Sequence, residues 1–358
     1  MAVDAPYPEI KKTHTMAHKG RPWTDYKPPP AAPVWSVIEG LGSYYILLAA
    51  IELDVFDTLE STGPVKVEVL SKKLEVSKPH LQSLLDSLVA LGLLDQFVNV
   101  YELNDTAKRY LTSNGPASMA NLISIAPGPH NNWKSLAETI RNGTPSTPID
   151  NDPASFYVPL VEGTFTTIFR AATRSDLKIR YSNLEAPHVL DLGAGGAPWS
   201  IAILKACPEA TAVINDLSQV LEVAKNKAKE HEVADRCEFR PGDFHKLELE
   251  RDSYDFVVLG HVCRTEGEDG AKSLIDRAFL SLKPGGRLLL ADYFIDIERK
   301  FNPHGVLMGM TMMTSTKKGF PITNEQATTW LREAGFNSLR LIEPIGFQFL
   351  YVATKPIC

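Results

Sequence analysis

The sequence predicts an α/β protein with a mostly parallel sheet in its C-terminal half and a helical region in front of it. From residue 187 onwards, short apolar strands alternate with helical patterns, as in parallel sheets whose strands are joined by helices. Residues 34–101 instead follow the order helix, turn, helix and β-wing of a winged helix. The 358 residues suffice for two domains with separate cores.

Composition restricts the partners of the chain. The formal net charge is −6, whereas nucleic-acid binding depends on a basic surface. Four widely spaced cysteines without a CxxC pair are typical of a reducing cytosol. The N-terminus has no apolar signal-peptide core, and the most apolar stretch, residues 44–51, is too short to span a bilayer. The sequence therefore predicts a soluble cytoplasmic protein without nucleic-acid or membrane partners.

Three regions precede the sheet. Residues 1–33 end in a proline-rich run, which predicts an extended arm. Residues 34–114 are predicted to form the winged-helix domain, in which one apolar helix runs from residue 34 to about residue 60 and Ser77 caps a later helix. Helical patterns in residues 115–186 predict a connector that lines the ligand pocket. Residues 187–358 form the predicted sheet domain.

A winged helix raises the possibility of a DNA-binding regulator. The corresponding recognition helix carries Lys78 and His80, but it also carries Asp86 and is otherwise strongly apolar. Few donors remain for phosphates or base edges, so this alternative is the less favoured one.

The strand beginning at His188 runs directly into a glycine turn at Gly193, Gly195 and Gly196. Glycines let the backbone turn tightly and approach a ligand that a Cβ atom would exclude, and Pro198 suits the first turn of the following helix. Such turns also occur as plain strand-to-helix connections, so this turn alone predicts a cofactor site no better than a structural one.

Features downstream favour the cofactor. Asp216 ends the next strand, 23 residues beyond Gly193, where an acid that binds a ribose is expected. A nicotinamide cofactor is still possible on this evidence. The Gly242-Asp243-Phe244 turn adds an acid and a ring that could contact an adenine. Residues 254–260 predict a fourth strand, and residues 282–290 predict a Lys-Pro-Gly-Gly turn followed by a fifth strand.

Together these segments resemble class I S-adenosylmethionine-dependent methyltransferases over residues 187–292. With the winged helix in front, the chain from residue 34 resembles the caffeate and acetylserotonin O-methyltransferase family. The resemblance implies a Rossmann-like, mostly parallel seven-stranded sheet behind an all-helical winged-helix dimerisation domain. It also implies S-adenosyl-L-methionine as cofactor, S-adenosyl-L-homocysteine as product, and a homodimer in which each subunit closes part of its partner's pocket.

Nine residues are predicted to contact the cofactor, and the resemblance implies six of these contacts. Asp191, Gly193 and Gly195 would surround the methionine moiety. Asp216 would bind the ribose, with Asp243 and Phe244 at the adenine. The remaining predicted cofactor contacts are Leu217, Gly242 and His261.

His261 is the predicted general base. It follows the strand at residues 254–260, and an imidazole there could take a hydroxyl proton near neutral pH. In the family a general-base histidine is followed by Asp-Trp, whereas Val262 and Cys263 stand here. No carboxylate is found where the family's orienting carboxylates align, near Gly305 and Lys318, and Glu266 is the predicted substitute.

The incomplete dyad keeps other reactions open. A thioether or an activated carbon needs no base, so S- or C-methylation is an alternative to O-methylation of a small molecule, and a non-methylating relative is another. His245, His261 and His304 show no local metal-ligand spacing, so no metal is predicted. The substrate is expected to contact aromatic, histidine and methionine side chains: His130, Trp133, Tyr157, Phe165, His304, Met308 and Met312.

Overall fold

The computed structural model describes residues 30–125, 131–298, 302–345 and 348–357. The chain divides into two units, residues 1–45 and residues 46–358, and helix α1 (Ala32–Glu52) has residues in both. The predicted arm lies outside the described residues except at its last few positions, and His130 lies outside them too.

Helix α1 corrects two expectations. It ends at Glu52, and α2 (Val55–Thr62) starts after Asp54, whose φ of 54° is left-handed, so the single helix predicted to residue 60 is wrong. By length and composition the 21-residue helix α1 could cross a membrane, so the prediction that this region is too short is also wrong. Its exposed apolar side chains include Val34, Trp35, Val37, Ile38, Leu41 and Tyr45.

The predicted winged-helix pattern is present between residues 55 and 102. Helices α3 (Val67–Lys73) and α4 (Lys78–Ala90) precede the wing strands. Strands β2 (Asp95–Phe97) and β3 (Val100–Glu102) pair antiparallel, and β1 (Val65–Lys66) pairs with β3, so the region is not all-helical. Ser77 occupies the N-cap position of α4, but its hydroxyl contacts His80 Nδ1 at 2.8 Å instead of a backbone N–H.

Four helices with described bounds lie between this region and the main sheet. They are α5 (Asp105–Tyr110), α6 (Ala120–Ile125), α7 (Leu136–Asn142) and α8 (Pro153–Ile179). Helix α8 is 27 residues long and contains Pro159 in its interior. At its N-terminus the Asp152 side chain accepts a hydrogen bond from Ser155 N–H, and Pro153 occupies the first helical position, where a missing N–H costs least.

The main sheet has seven strands in the order β6-β5-β4-β7-β8-β10-β9. The first five are parallel, and β10 is antiparallel to both of its neighbours, which confirms the predicted α/β class and the mostly parallel sheet. The strands are β4 (His188–Leu192), β5 (Thr211–Asp216), β6 (Cys237–Pro241), β7 (Tyr254–Gly260), β8 (Leu282–Asp292), β9 (Ser338–Ile345) and β10 (Gln348–Thr354).

Apolar side chains bury both faces of the central strands. Leu190 and Val257 lie in one core cluster, whereas Val189 and Val258 lie in the other. Strands covered on both faces are continuously apolar, as these are. The covering helices include α9 (Pro198–Ala206), α10 (Ser218–Glu230), α11 (Gly267–Ser281), α12 (Pro303–Ser315) and α13 (Asn324–Glu333). Polar residues are left for the carboxyl ends of the strands, where α/β sheets bind ligands.

Candidate active site

The turn after β4 requires glycine. Gly193 and Gly195 have φ values of 65° and 59°, in the left-handed region that glycine adopts without strain. A Cβ atom on Gly193 would lie 3.0 Å from a methyl carbon of Val262 and 3.4 Å from the Phe244 ring. A Cβ on Gly195 would lie 3.0 Å from Val161. The turn therefore brings bare backbone close to three neighbouring segments.

Asp216 joins the end of β5 to this turn. Its Oδ2 accepts a hydrogen bond from Gly195 N–H and its Oδ1 from Leu217 N–H, both at 2.7 Å. Burial raises the pKa of this carboxyl group above its usual value. Because a carboxylate oxygen can accept more than one hydrogen bond, both oxygens can still accept from ligand hydroxyls.

Asp191 lies beneath the turn, in β4. It is 1% exposed, and its Oδ2 accepts a hydrogen bond of 2.6 Å from the Ser200 hydroxyl of α9. Burial raises the pKa of Asp191 to about 7. This contact braces the turn against the helix.

The end of β6 lies beside Asp216. Gly242 N–H donates to the Asp216 carbonyl, and the buried Asn215 side chain donates to the Gly242 carbonyl at 3.1 Å. Asp243 is 42% exposed at its side chain and accepts from His245 N–H at 2.9 Å. The strand ends of β4, β5 and β6 thus bring most of the predicted cofactor contacts together: Asp191, Gly193, Gly195, Asp216, Leu217, Gly242, Asp243 and Phe244.

His261 follows β7 with a φ of 64°, which is uncommon for a residue with a side chain. Its N–H donates to the Ala291 carbonyl at 2.8 Å, which fixes this conformation. Its ring is 9% exposed and its Nε2 lies 3.2 Å from Gln348 Oε1. Burial, reinforced by the charge of Arg264, lowers the pKa of His261 to about 4.

Asp292 is the carboxylate beside His261. It ends β8, next to β7, and its Oδ1 lies 3.9 Å from His261 Nδ1. Sequence alignment placed the orienting carboxylates near Gly305 and Lys318 and so missed it. Parallel register gave a usable signal, because Gly260 pairs with Ala291 and the two following residues must then be neighbours.

Glu266 does not provide this carboxylate. Its Oε2 pairs with His245 Nε2 at 2.9 Å and its Oε1 accepts from the Thr265 hydroxyl at 2.8 Å. The structure thus ties Glu266 to the loop that follows β6. It offers no contact between Glu266 and His261 among the residues described, so the predicted substitution is wrong.

The predicted substrate residues fall into two groups. Tyr157 lies beside Arg264 and Glu266, and burial raises its pKa to about 12. The His304 ring lies 5.0 Å from the Tyr293 ring, which in turn lies 5.0 Å from the His261 ring.

The other predicted substrate residues differ in burial and packing. Met312 on α12 is buried and Met308 is half-buried. Trp133 has a buried Nε1 without a hydrogen-bond partner. Phe165 is 4% exposed, stacks on Phe169 and packs in the core behind the glycine turn, where it has little surface for a substrate. Among residues that the structure describes, no three His, Cys, Asp or Glu side chains form a metal-binding group.

Comparisons with known proteins agree with this geometry. The O-methyltransferase domain family matches residues 170–337, and the O-methyltransferase dimerisation domain family matches residues 35–113. The chain is 26% identical to the tetracenomycin polyketide synthesis 8-O-methyltransferase TcmO of Streptomyces glaucescens over 321 residues, which is 87% of this chain and 92% of that protein.

Two further likenesses extend over most of the chain. The 3-hydroxy-5-methyl-1-naphthoate 3-O-methyltransferase of Streptomyces sahachiroi is 25% identical over 318 residues, covering 85% of this chain and 88% of that protein. The solved structure of human N-acetylserotonin methyltransferase with S-adenosylmethionine has a TM-score of 0.79 at 21% identity, covering 93% of this chain and 99% of the human one. At this identity the structural likeness shows the fold.

Proposed function

Because this chain belongs to the family of class I S-adenosylmethionine-dependent O-methyltransferases with an N-terminal dimerisation domain, we propose that it O-methylates an aromatic hydroxyl of a small molecule. One observation carries the proposal: the glycine turn, Asp216 and His261 come from separate strands and meet at one edge of the sheet. TcmO and the naphthoate enzyme, which act on aromatic or polyketide acceptors by name, support the acceptor class.

The residues present fit S-adenosylmethionine. Gly193 and Gly195 leave no Cβ atoms in the turn, and the half-buried Asp216 carboxylate retains acceptor capacity for two ribose hydroxyls. Phe244 would contact the adenine, and Asp191 would act through the turn that it braces. When bound, the cofactor supplies an electrophilic methyl group.

His261 would contact the acceptor hydroxyl. Gln348 Oε1 can only accept, so the ring hydrogen of His261 sits on Nε2 and Nδ1 keeps a lone pair. Nδ1 is buried and has no hydrogen-bond partner, so it would take the proton of a hydroxyl that enters this cluster beside it. Asp292, 3.9 Å away, would stabilise the imidazolium that results.

Rings and thioethers on the acceptor side would hold a flat substrate. Tyr157, Tyr293 and His304 offer ring faces or edges near His261, and Met308 and Met312 offer polarisable apolar surface. We assign no substrate contact to Phe165, because it packs behind the cofactor turn.

We further propose a cytoplasmic homodimer that forms through residues 34–114 and binds no nucleic acid or membrane. The exposed apolar face of α1 lies within the matched dimerisation domain, which offers a partner subunit as its cover. In α4 the two residues that could have contacted DNA are occupied, since Lys78 pairs with Glu68 at 2.6 Å and His80 with Ser77. Light scattering of the full chain would test the dimer.

Product analysis tests the reaction. The protein is incubated with S-adenosylmethionine and a panel of hydroxynaphthoates and phenolic polyketides, alongside thioethers and carbon nucleophiles. We expect S-adenosylhomocysteine and an O-methylated product, identified by mass spectrometry and NMR, and loss of both with Asp216→Ala. Exclusive S- or C-methylation would overturn the proposal, as would cofactor binding without turnover on any of the acceptors.

A further inference from the structure

Arg264 lies inside the acceptor end of the candidate site. It belongs to the short helical turn Cys263–Thr265 just after β7, and its side chain is only 14% exposed. One guanidinium nitrogen donates to Asp292 Oδ1 at 2.9 Å, and the group lies over the Tyr293 ring at 5.2 Å. A guanidinium this buried needs such a partner, because an unpaired buried charge is costly.

The Arg264 contact occupies the carboxylate that His261 would otherwise use. Asp292 Oδ1 accepts from Arg264 and also from Tyr293 N–H at 2.9 Å. The distance of 3.9 Å from this oxygen to His261 Nδ1 is beyond hydrogen-bond range. The side chain that could strengthen the base is therefore committed to a cation.

Burial and the charge of Arg264 keep His261 neutral. Burial is the main cause that lowers the pKa of His261 to about 4, Arg264 lowers it further by opposing a second positive charge, and Asp292 only partly offsets them. Other titratable groups interact with Arg264 or Asp292: burial raises the pKa of Tyr157, Cys263 and Tyr293, and burial together with Arg264 lowers the pKa of His304. None of these four adds a negative charge near neutral pH.

A weak base limits which hydroxyls can lose a proton. An imidazole with a pKa of about 4 is a poorer proton acceptor, by a factor of about a million, than the anion of a phenol whose pKa is near 10. The factor shrinks tenfold for each pK unit by which the hydroxyl becomes more acidic.

Three buried polar atoms in this cluster have no partner. They are His261 Nδ1, Arg264 Nε and Asp292 Oδ2, on side chains linked through Asp292. Buried polar groups are normally hydrogen-bonded, and an acceptor carrying an anionic or carbonyl oxygen could pair with the Arg264 donor.

We propose that Arg264 is a positioning residue that makes His261 a weak base and thereby restricts the acceptors to acidic hydroxyls, such as phenols or enols conjugated with a carbonyl group. This inference rests on the proposed O-methylation. Less acidic hydroxyls of the same shape bind but react slowly, because their proton has no adequate acceptor.

The ionisation of His261 is measured first, without any acceptor. The full chain with S-adenosylhomocysteine is titrated by long-range ¹H–¹⁵N NMR, using His261→Gln to assign the signal. We expect a neutral His261 ring from pH 8 to about pH 5. In Arg264→Met, Asp292 becomes available to His261, so the acid dissociation constant of the imidazolium should fall at least tenfold, which means that its pKa rises. The Arg264→Met/Asp292→Asn double variant should reverse this rise in the pKa. Titration of wild-type His261 near its usual 6.5, or no change in Arg264→Met, overturns the proposal. If Arg264→Met does not fold, Arg264→Gln takes its place, because it also removes the positive charge.

The acceptor preference is measured second, with 2-naphthol and nitro-substituted 2-naphthols as probes of similar shape. In the wild type we expect kcat to be at least tenfold higher for the most acidic probe than for 2-naphthol, while KM changes little. In Arg264→Met the ratio of these kcat values should be smaller. Equal kcat values across the probes would refute the inference and leave O-methylation intact. If none of the probes is methylated, the proposed function loses its support on these acceptors, and the NMR titration still decides the role of Arg264.

Discussion

Asp216 and Asp292 end two strands of the same sheet, yet the protein treats their carboxylates differently. Each oxygen of Asp216 accepts a hydrogen bond from a backbone N–H group, at 2.7 Å in both cases. Asp292 gives one oxygen to Arg264 and to its own strand end, and leaves Oδ2 buried without a partner. The proposed cofactor end of the site is thus held by backbone, whereas the proposed acceptor end is held by an ion pair between side chains.

The difference shows where specificity resides. Backbone donors stay in place whichever side chains surround them, so the cofactor end suits a ligand common to a whole family. Side-chain pairs can be exchanged one residue at a time, so the acceptor end can change its chemistry while the fold remains. Variants at the two ends should therefore fail in different ways.

The largest expected effect is on stability at the acceptor end. Asp292→Ala leaves the Arg264 guanidinium buried without its carboxylate, which should lower the free energy of unfolding by about 3–5 kcal/mol in urea denaturation. Glu222→Ala, which removes an exposed ion pair with Lys225, is the matched control and should cost at most about 1 kcal/mol. Similar losses in both variants would show that the Arg264 pair is not a buried one.

Asp191 should give the cofactor end its own pH dependence. Its folded pKa of about 7 exceeds the usual 3.8, so its protonation stabilises the folded state at low pH, and this contribution is lost as the pH rises from about 4 to 7. Relative to Asp191→Asn, the wild type should lose about 4 kcal/mol of unfolding free energy between pH 4 and pH 8. His261 titrates in both proteins, so its contribution to the free energy of unfolding cancels in the difference. A difference that stays constant with pH would show that Asp191 is ionised throughout.

Asp216 should control cofactor affinity. Asp216→Ala removes the acceptor for two N–H groups and for the ribose, at a cost of about 2–3 kcal/mol, or roughly a hundredfold in the Kd of S-adenosylhomocysteine by calorimetry. Asp243→Ala serves as the comparison, because that side chain is 42% exposed and should cost tenfold or less. A larger loss of affinity in Asp243→Ala than in Asp216→Ala would mean that the ribose binds at the end of β6 and not at the end of β5.

The smallest effect concerns the glycine turn. Gly193→Ala should cost about 1–2 kcal/mol for the left-handed φ, with an additional loss of cofactor affinity as Val262 is displaced. Gly63→Ala has a similar φ of 74° but nothing within 4 Å of the new Cβ, so it should show the strain without the affinity loss. Unchanged cofactor affinity in Gly193→Ala would mean that the approach of Val262 does not shape the site.

Local patterns predicted the sheet domain well and the N-terminal helices less well. The strand at residues 254–260 and the glycine turn are encoded by consecutive residues, so both were found where predicted. The helix predicted from residue 34 to residue 60 is broken because Asp54 adopts a left-handed conformation, which apolar spacing does not reveal. The sequence also could not reveal that the Ser77 hydroxyl makes no capping hydrogen bond, since this hydroxyl contacts the His80 ring instead.

The candidate site divides in the same way. The cofactor contacts follow short motifs, because each motif sits at one strand end and carries its own glycine or acid. Asp292 was missed because its relation to His261 spans 31 residues and depends on which strands are neighbours. Glu266 was misassigned for the converse reason, since nearness along the chain did not bring it to His261.

The sequence by itself determined the α/β class, the family and the cofactor, because apolar runs, glycines and strand-end acids act over a few residues. Only the tertiary structure decided the state of the proposed proton acceptor, His261. The basicity of His261 depends on burial and on two charges, Arg264 and Asp292, that arrive from different segments, and Coulomb interactions act through space and not along the chain.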